Sequence, residues 1–214
     1  MTSGSDVHET PETPAQAEKA ALRRQLLAAR AQIPIPTRND RARLIRDHLL
    51  SLPQVGAAGT IAAYCSIGAE PSTGSLLYAL WKRGSYVVLP VLLPNGDLDW
   101  ASYEGPGSLV AGRFGLQEPT EPRRGVETVS RADIVLVPAL AVSVTGARLG
   151  RGGGSYDRAL ARVGPQVPTI ALLYDDELLP TVPTEAHDQR VRLAAQPGPG
   201  VTWLPAAGGG RTAE

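Results

Sequence analysis

The chain has 214 residues, with 21 basic and 21 acidic side chains and a formal charge of zero, which leaves no global field for a nucleic acid. No apolar run approaches the ~18 residues of a membrane span, and residues 1–13 lack the basic and apolar regions of a secretory signal. The single cysteine, Cys65, excludes an internal disulfide and fits a reducing compartment. A monomeric cytoplasmic protein is expected, large enough for one domain.

Residues 1–14 are rich in Thr, Pro, Glu and Ser and predict a disordered tail. Helical spacing then runs over 15–31, with Lys19 and Arg23 four apart and so on one face; a solvated basic edge is the ordinary meaning of such a pair. Pro34 and Pro36 end that helix, and Thr37 is placed to cap a second one reaching residue 51. His48 falls within it and is assigned no role. A strand over 60–65, a helix over 72–83 and a strand over 86–91 make a β-α-β unit, hence parallel strands with a right-handed crossover. Cys65 and Glu70 follow the first strand, on the side where open sheets place their ligands.

Asn95-Gly96 signals a tight turn into a strand over 98–103. Residues 109–122 read as irregular, and Phe114, the only phenylalanine, is placed either to pack or to cover a flat ring. The apolar run 134–142 predicts a buried central strand, and 167–173 predicts another. The domain is expected to end at 196, followed by a Pro/Gly-rich tail over 197–214. The whole is an α/β chain, a three-layer sandwich around a mostly parallel, Rossmann-like open sheet.

After the central strand comes Arg148-Leu149-Gly150-Arg151-Gly152-Gly153-Gly154-Ser155-Tyr156-Asp157-Arg158. Ser155 is placed as an N-cap and Asp157 as an acidic first-turn residue, so the glycines open a helix. Backbone donors, a helix start and two arginines suit phosphate oxygens. The loop is not a P-loop, since it has no lysine, and the dinucleotide fingerprint fails where Ser155 replaces glycine. A tight structural turn is the competing reading of the same stretch.

This motif closely resembles the signature of the 5-formyltetrahydrofolate cyclo-ligase family. Three other stretches are similar to that family: Lys19-Ala20-Ala21-Leu22-Arg23, Gly115-Leu116-Gln117-Glu118-Pro119 and the segment ending in His187-Asp188. Together they cover about residues 18–193. The resemblance implies use of ATP, Mg²⁺ and 5-formyltetrahydrofolate, with no nucleic-acid or membrane partner. It implies ATP contacts for Lys19, Arg23 and residues 148–156, folate contacts for Arg23, Cys65, Glu70, Phe114, Arg151 and Tyr156, and metal binding by Asp157 and Asp188. Arg151 and Tyr156 are the implied catalytic pair, and Glu70 is expected to stand apart from the glycine loop. Two departures stand out: Ser143-Val144-Thr145 where relatives carry an aspartate, and an atypical final strand. The residues alone leave open a non-catalytic folate or nucleotide binder, or a phosphosugar isomerase or acyl-carrier transferase relative on a similar sheet.

Overall fold

The computed structural model describes residues 13–205. Most of the expected N-terminal tail and the end of the expected C-terminal one therefore lie outside the described residues. Helix α1 (Pro14–Gln32) starts at a capping box, in which Thr13 accepts from the Gln16 amide while the Gln16 side chain accepts from the Thr13 amide. Helix α2 (Ile35–Ser51) begins two residues before Thr37, which does not cap it; Pro36 in the first turn sets the start instead. Helix α3 (Pro53–Ala57) leads to β1 (Thr60–Ala62), and α4 (Gly74–Lys82) to β2 (Tyr86–Leu92) and β3 (Leu98–Ser102). Then follow β4 (Leu109–Ala111), β5 (Gln117–Pro119), β6 (Ile134–Pro138), β7 (Ala141–Ser143), β8 (Arg148–Leu149) and α5 (Ser155–Leu160). The chain closes with β9 (Thr169–Leu172), β10 (Leu178–Leu179), β11 (Leu193–Gln196) and β12 (Gly200–Trp203).

The main sheet has the order β12-β11-β9-β6-β1-β2-β3; its five inner strands are parallel and both edge strands antiparallel. Alternation along each strand divides the core in two. Ile61, Val87, Leu136 and Ile170 face α2 and α4, packing with Ile45, Leu49, Leu76 and Leu80. Ala62, Val88, Val135 and Ala171 face the other way, toward Trp100, Val129 and α5. The largely parallel α/β sandwich expected from the sequence is what forms.

Four local readings need correction. The run 134–142 is not one strand: it breaks after Pro138, and β7 joins a second small sheet of order β10-β7-β8. Residues 109–122 are not irregular throughout, because β4 and β5 pair as a hairpin. The domain does not stop at 196, since β12 adds the last strand to β11. Ser155 is the first residue of α5 and not its cap; Gly154 holds that position with φ +67°, and no side chain caps the helix. A left-handed backbone there favours glycine over serine.

The Asn95-Gly96 turn forms as read, with Gly96 at φ +80°. It is tied down by Arg162, whose guanidinium grips Asp97 at 2.6 and 3.0 Å. That hydrogen bond, outweighing burial, holds the Asp97 carboxyl below its ordinary 3.8. A depressed carboxyl stabilises the fold above its unfolded value and loses that contribution as pH falls through the folded one. The melting difference between the parent and Asp97→Asn should therefore be constant from about pH 5 to 8 and shrink toward about pH 3. A difference independent of pH down to that point would show that the pair does not stabilise the fold.

Candidate active site

Strand order places a cleft before any side chain is considered. From β1 the chain proceeds to β2 and β3 on one flank, while β6, β9, β11 and β12 extend on the other. The β1/β6 junction is thus a topological switch point, and the crevice outside the strands' carboxyl ends is where such sheets take ligands. Tyr64 and Cys65 follow β1; Pro138, Ala139 and Leu140 follow β6; all line a cleft of about 360 Å³. Helix α1 reaches the site by packing Leu26 on Leu140, Ala141 and Leu149 of the small sheet.

Every residue singled out from the sequence lines this one cleft: Lys19, Arg23, Cys65, Glu70, Phe114, the whole stretch from Arg148 through Asp157, and Asp188. Gly152 has φ +106°, a backbone an L side chain rarely adopts, so the loop needs glycine there for its shape as well as for close approach. The turn that feeds the loop depends on Gly146, where a Cβ would lie 2.5 Å from the Val191 carbonyl oxygen. At the same turn the Ser143 hydroxyl accepts from the Thr145 and Ala147 amides at 3.2 and 3.0 Å. Serine thereby organises the turn.

The charged groups are paired in a way the sequence did not foretell. Glu70 does not stand apart from the glycine loop: its Oε1 accepts from Arg151 Nε at 2.9 Å, and Oε2 accepts from the Ile67 amide at 2.9 Å. Loop closure between Glu70 and Arg151, 81 residues apart, brings them together. Glu70 is buried, whereas the Arg151 side chain is 44% exposed and neither of its Nη atoms has a partner among the described residues. Arg148 is buried deeper, donating to Asp157 Oδ1 at 2.9 Å and to the Pro138 carbonyl at 3.2 Å. Arg23 Nε donates to the Gly150 carbonyl at 2.9 Å, binding α1 to the loop.

Lys19 is only 3% exposed and meets Asp188 at 2.5 Å and Glu185 at 2.8 Å, so it is no solvated edge. Burial pulls its ammonium pKa down, but the hydrogen bonds to Asp188 and Glu185 outweigh this and leave it raised. Asp188 is pushed up by burial and brought below its ordinary value by Lys19 and the Glu185 amide. Glu185, His187 and Asp188 present ligand atoms within 4.8 Å of one another. Asp157 lies outside that group; its Oδ1 is taken by Arg148 and by the Gln189 amide. Neither Asp157 Oδ2 nor Asp188 Oδ1 has a hydrogen-bond partner among the described residues, so each carboxylate keeps one oxygen for a hard cation.

Tyr156 stacks within 5.9 Å of the Arg148 guanidinium, and its buried hydroxyl has no partner. Burial, reinforced by Glu70, holds its pKa far above the ordinary phenol value, so Tyr156 stays protonated and keeps an O–H to donate in a hydrogen bond. Burial likewise raises the Cys65 thiol to about 11, so it is a half-buried apolar wall and no nucleophile. Phe114 is 77% exposed at the rim of the cleft, with φ +57° at the tip of the β4–β5 hairpin. It belongs to no core cluster, which removes plain packing as its role.

Sequence reading missed Tyr64, Arg30 and Glu177. Arg30, in α1, is 1% exposed and grips Glu177 through two bonds of 2.7 Å, while donating to the Ala139 carbonyl in the cleft wall. No spacing marks this pair, because Arg30 is one of several arginines on a helix and Glu177 ends an acidic run.

Sheet and site together define an open-sheet α/β protein with a glycine loop lining the cleft at its switch point. Among the described residues no helix is long and apolar enough to cross a membrane. The model of the 5-formyltetrahydrofolate cyclo-ligase family matches residues 15–197, and the chain belongs to that family. It is 41% identical to the 5-formyltetrahydrofolate cyclo-ligase of Mycolicibacterium smegmatis over 191 residues, 87% of this chain and 97% of the relative. The Escherichia coli protein of the same name is 34% identical over 72% of this chain and 86% of its own. The structure of Aquifex aeolicus 5,10-methenyltetrahydrofolate synthetase superposes with a TM-score of 0.77 at 28% identity, covering 92% of this chain and 96% of that one. A synthetase from Mycoplasma pneumoniae shares the fold, with a TM-score of 0.67 at 21% identity over 83% of this chain and 97% of that one.

Proposed function

We propose that this chain closes 5-formyltetrahydrofolate to 5,10-methenyltetrahydrofolate at the expense of ATP, releasing ADP and phosphate. The observation that carries this reading is the direct pairing of Glu70 with Arg151: a carboxylate fit for a heterocycle's N–H donors touches the cation of a phosphate loop. The formyl oxygen attacks the γ-phosphorus and ADP departs. The neighbouring amine nitrogen then attacks the activated carbon, and phosphate leaves with the former formyl oxygen. Neither step needs a protein nucleophile, so positioning and charge neutralisation supply the catalysis.

Within that scheme the amides of residues 150–155 and the guanidinium of Arg151 hold the triphosphate, with Arg23 fixing the loop through Gly150. Arg148 serves by ordering Asp157 and the loop's entry, since both of its Nη atoms are engaged within the protein. Leu149 is a buried β8 residue that supports the loop from behind. Lys19 gives two of its three donors to Asp188 and Glu185 and keeps the third for a phosphate oxygen. Tyr156 donates toward the developing oxyanion. Phe114 covers the heterocycle, and Cys65 forms part of its apolar wall. Asp157 and Asp188 would hold Mg²⁺ through their free oxygens, with waters and phosphate oxygens completing its shell. When bound, the ion offsets phosphate charge.

Purified protein should generate the methenyl chromophore only when ATP, Mg²⁺ and 5-formyltetrahydrofolate are all supplied. Binding of both compounds without chromophore would make the chain a non-catalytic binder. Glu70→Gln keeps the shape and removes the charge, and should raise the folate KM about tenfold, the loss of a charge-assisted hydrogen bond. Because Arg151 loses its partner as well, the ATP KM should move in the same variant, by about twofold. An unchanged folate KM would remove Glu70 from the substrate side.

A further inference from the structure

The Asn95-Gly96 turn and the last residue of the glycine motif, Arg158, have no part in the reaction as set out above, yet they meet. Arg158 Nη2 donates to the Gly96 carbonyl at 2.6 Å and to the Gly153 carbonyl at 3.2 Å. Gly96 leaves room for this contact, since a Cβ there would lie 2.7 Å from the same Nη2. The turn is itself held, through Asp97, by the guanidinium of Arg162 one helical turn further on. Arg158 of α5 and Arg162 just past the helix end therefore both grip the β2–β3 turn, and the Arg158 grip also seizes the loop.

We propose that Arg158 is a positioning residue that sets the direction of the Gly153–Gly154 peptide and, through it, the affinity of the loop for the nucleotide. The peptide is trans and planar, so anchoring the Gly153 oxygen on one side aims the Gly154 N–H to the other. Between two glycines that peptide is otherwise nearly free to flip, because glycine populates both signs of φ. Arg158 removes the wrong orientation and the turn supplies the fixed surface against which it works. The inference rests on the reading of residues 150–155 as the phosphate site.

The test is steady-state kinetics on Arg158→Ala, Arg158→Lys, Gly96→Ala and the Arg158→Ala/Gly96→Ala double variant, with melting curves on each. Arg158→Ala should raise the ATP KM about tenfold while the folate KM and kcat stay within about twofold, and Lys should restore part of the loss. Gly96→Ala should raise the ATP KM similarly, and the double variant should be no worse than the worse single one, because both break the same contact. An unchanged ATP KM for Arg158→Ala, or effects of the two changes that multiply, overturns the brace. Gly152→Val tests the underlying reading separately. If it leaves the ATP KM unchanged in folded protein, the loop is not the phosphate site; if it raises the KM while Arg158→Ala does not, only the brace fails.

Discussion

Arg151→Ala is expected to lower kcat by about 10²–10³-fold, the usual effect of removing a group that stabilises transition-state charge. Arg151 is the exposed arginine of the loop: its contact to Glu70 uses Nε, and neither Nη atom has a partner among the described residues. Arg148 is buried, with Nη1 given to Pro138 and Nη2 to Asp157, and its Nε is enclosed without a partner among the described residues. Lysine at 151 should recover only part of the rate, since it cannot hold Glu70 and a phosphate oxygen through one planar fork. Glu70 is buried and loses its cation in this variant while keeping the Ile67 amide, so the melting temperature should fall by a few degrees with the fold retained. A kcat within about threefold of the parent would take Arg151 out of the chemistry.

The largest loss of stability is expected from Arg30→Ala. Its guanidinium is buried with Glu177, and breaking a buried pair from one side costs about 3–5 kcal/mol because a charge is left without a partner. For a chain of this length that lowers the melting temperature by about 10 °C. Removing both partners as Arg30→Leu/Glu177→Leu should cost less than Arg30→Ala alone, since no charge remains buried. A double variant less stable than either single one would show that the pair stabilises the fold outright. The same pair holds Ala139, and Glu177 also accepts from the Tyr174 amide, so it fixes the cleft wall behind the glycine loop.

The elements that sequence reveals best are those governed by local chemistry. Pro34 at the break between two helices, Asn95-Gly96 at a hairpin and β-branched runs in parallel strands all follow from neighbours a few residues apart. The glycine loop was legible for the same reason, as a continuous motif. What failed was decided at long range or by backbone sign. Ser155 looked like a cap until Gly154 took the left-handed position. The run 134–142 looked like one strand because hydrophobicity does not record that the chain changes sheets after Pro138. Helical spacing alone makes Lys19 a solvated basic edge, yet Glu185 and Asp188, more than 160 positions away, pair with it in a buried site. Glu70 read as remote from the loop for want of any local sign that Arg151 would reach it. Pairings of this kind depend on topology, and the β1/β6 switch point that creates them is visible only once the strands are ordered.

The account turns on ATP being used to activate the formyl oxygen, and isotope transfer reads that step directly. 5-Formyltetrahydrofolate carrying ¹⁸O in its formyl group is turned over with ATP and Mg²⁺, and the released phosphate is analysed by mass. Phosphoryl transfer to that oxygen followed by ring closure predicts one ¹⁸O in each phosphate released, with one ADP formed for each methenyl product. Unlabelled phosphate, or ADP formed without methenyl product, would contradict it.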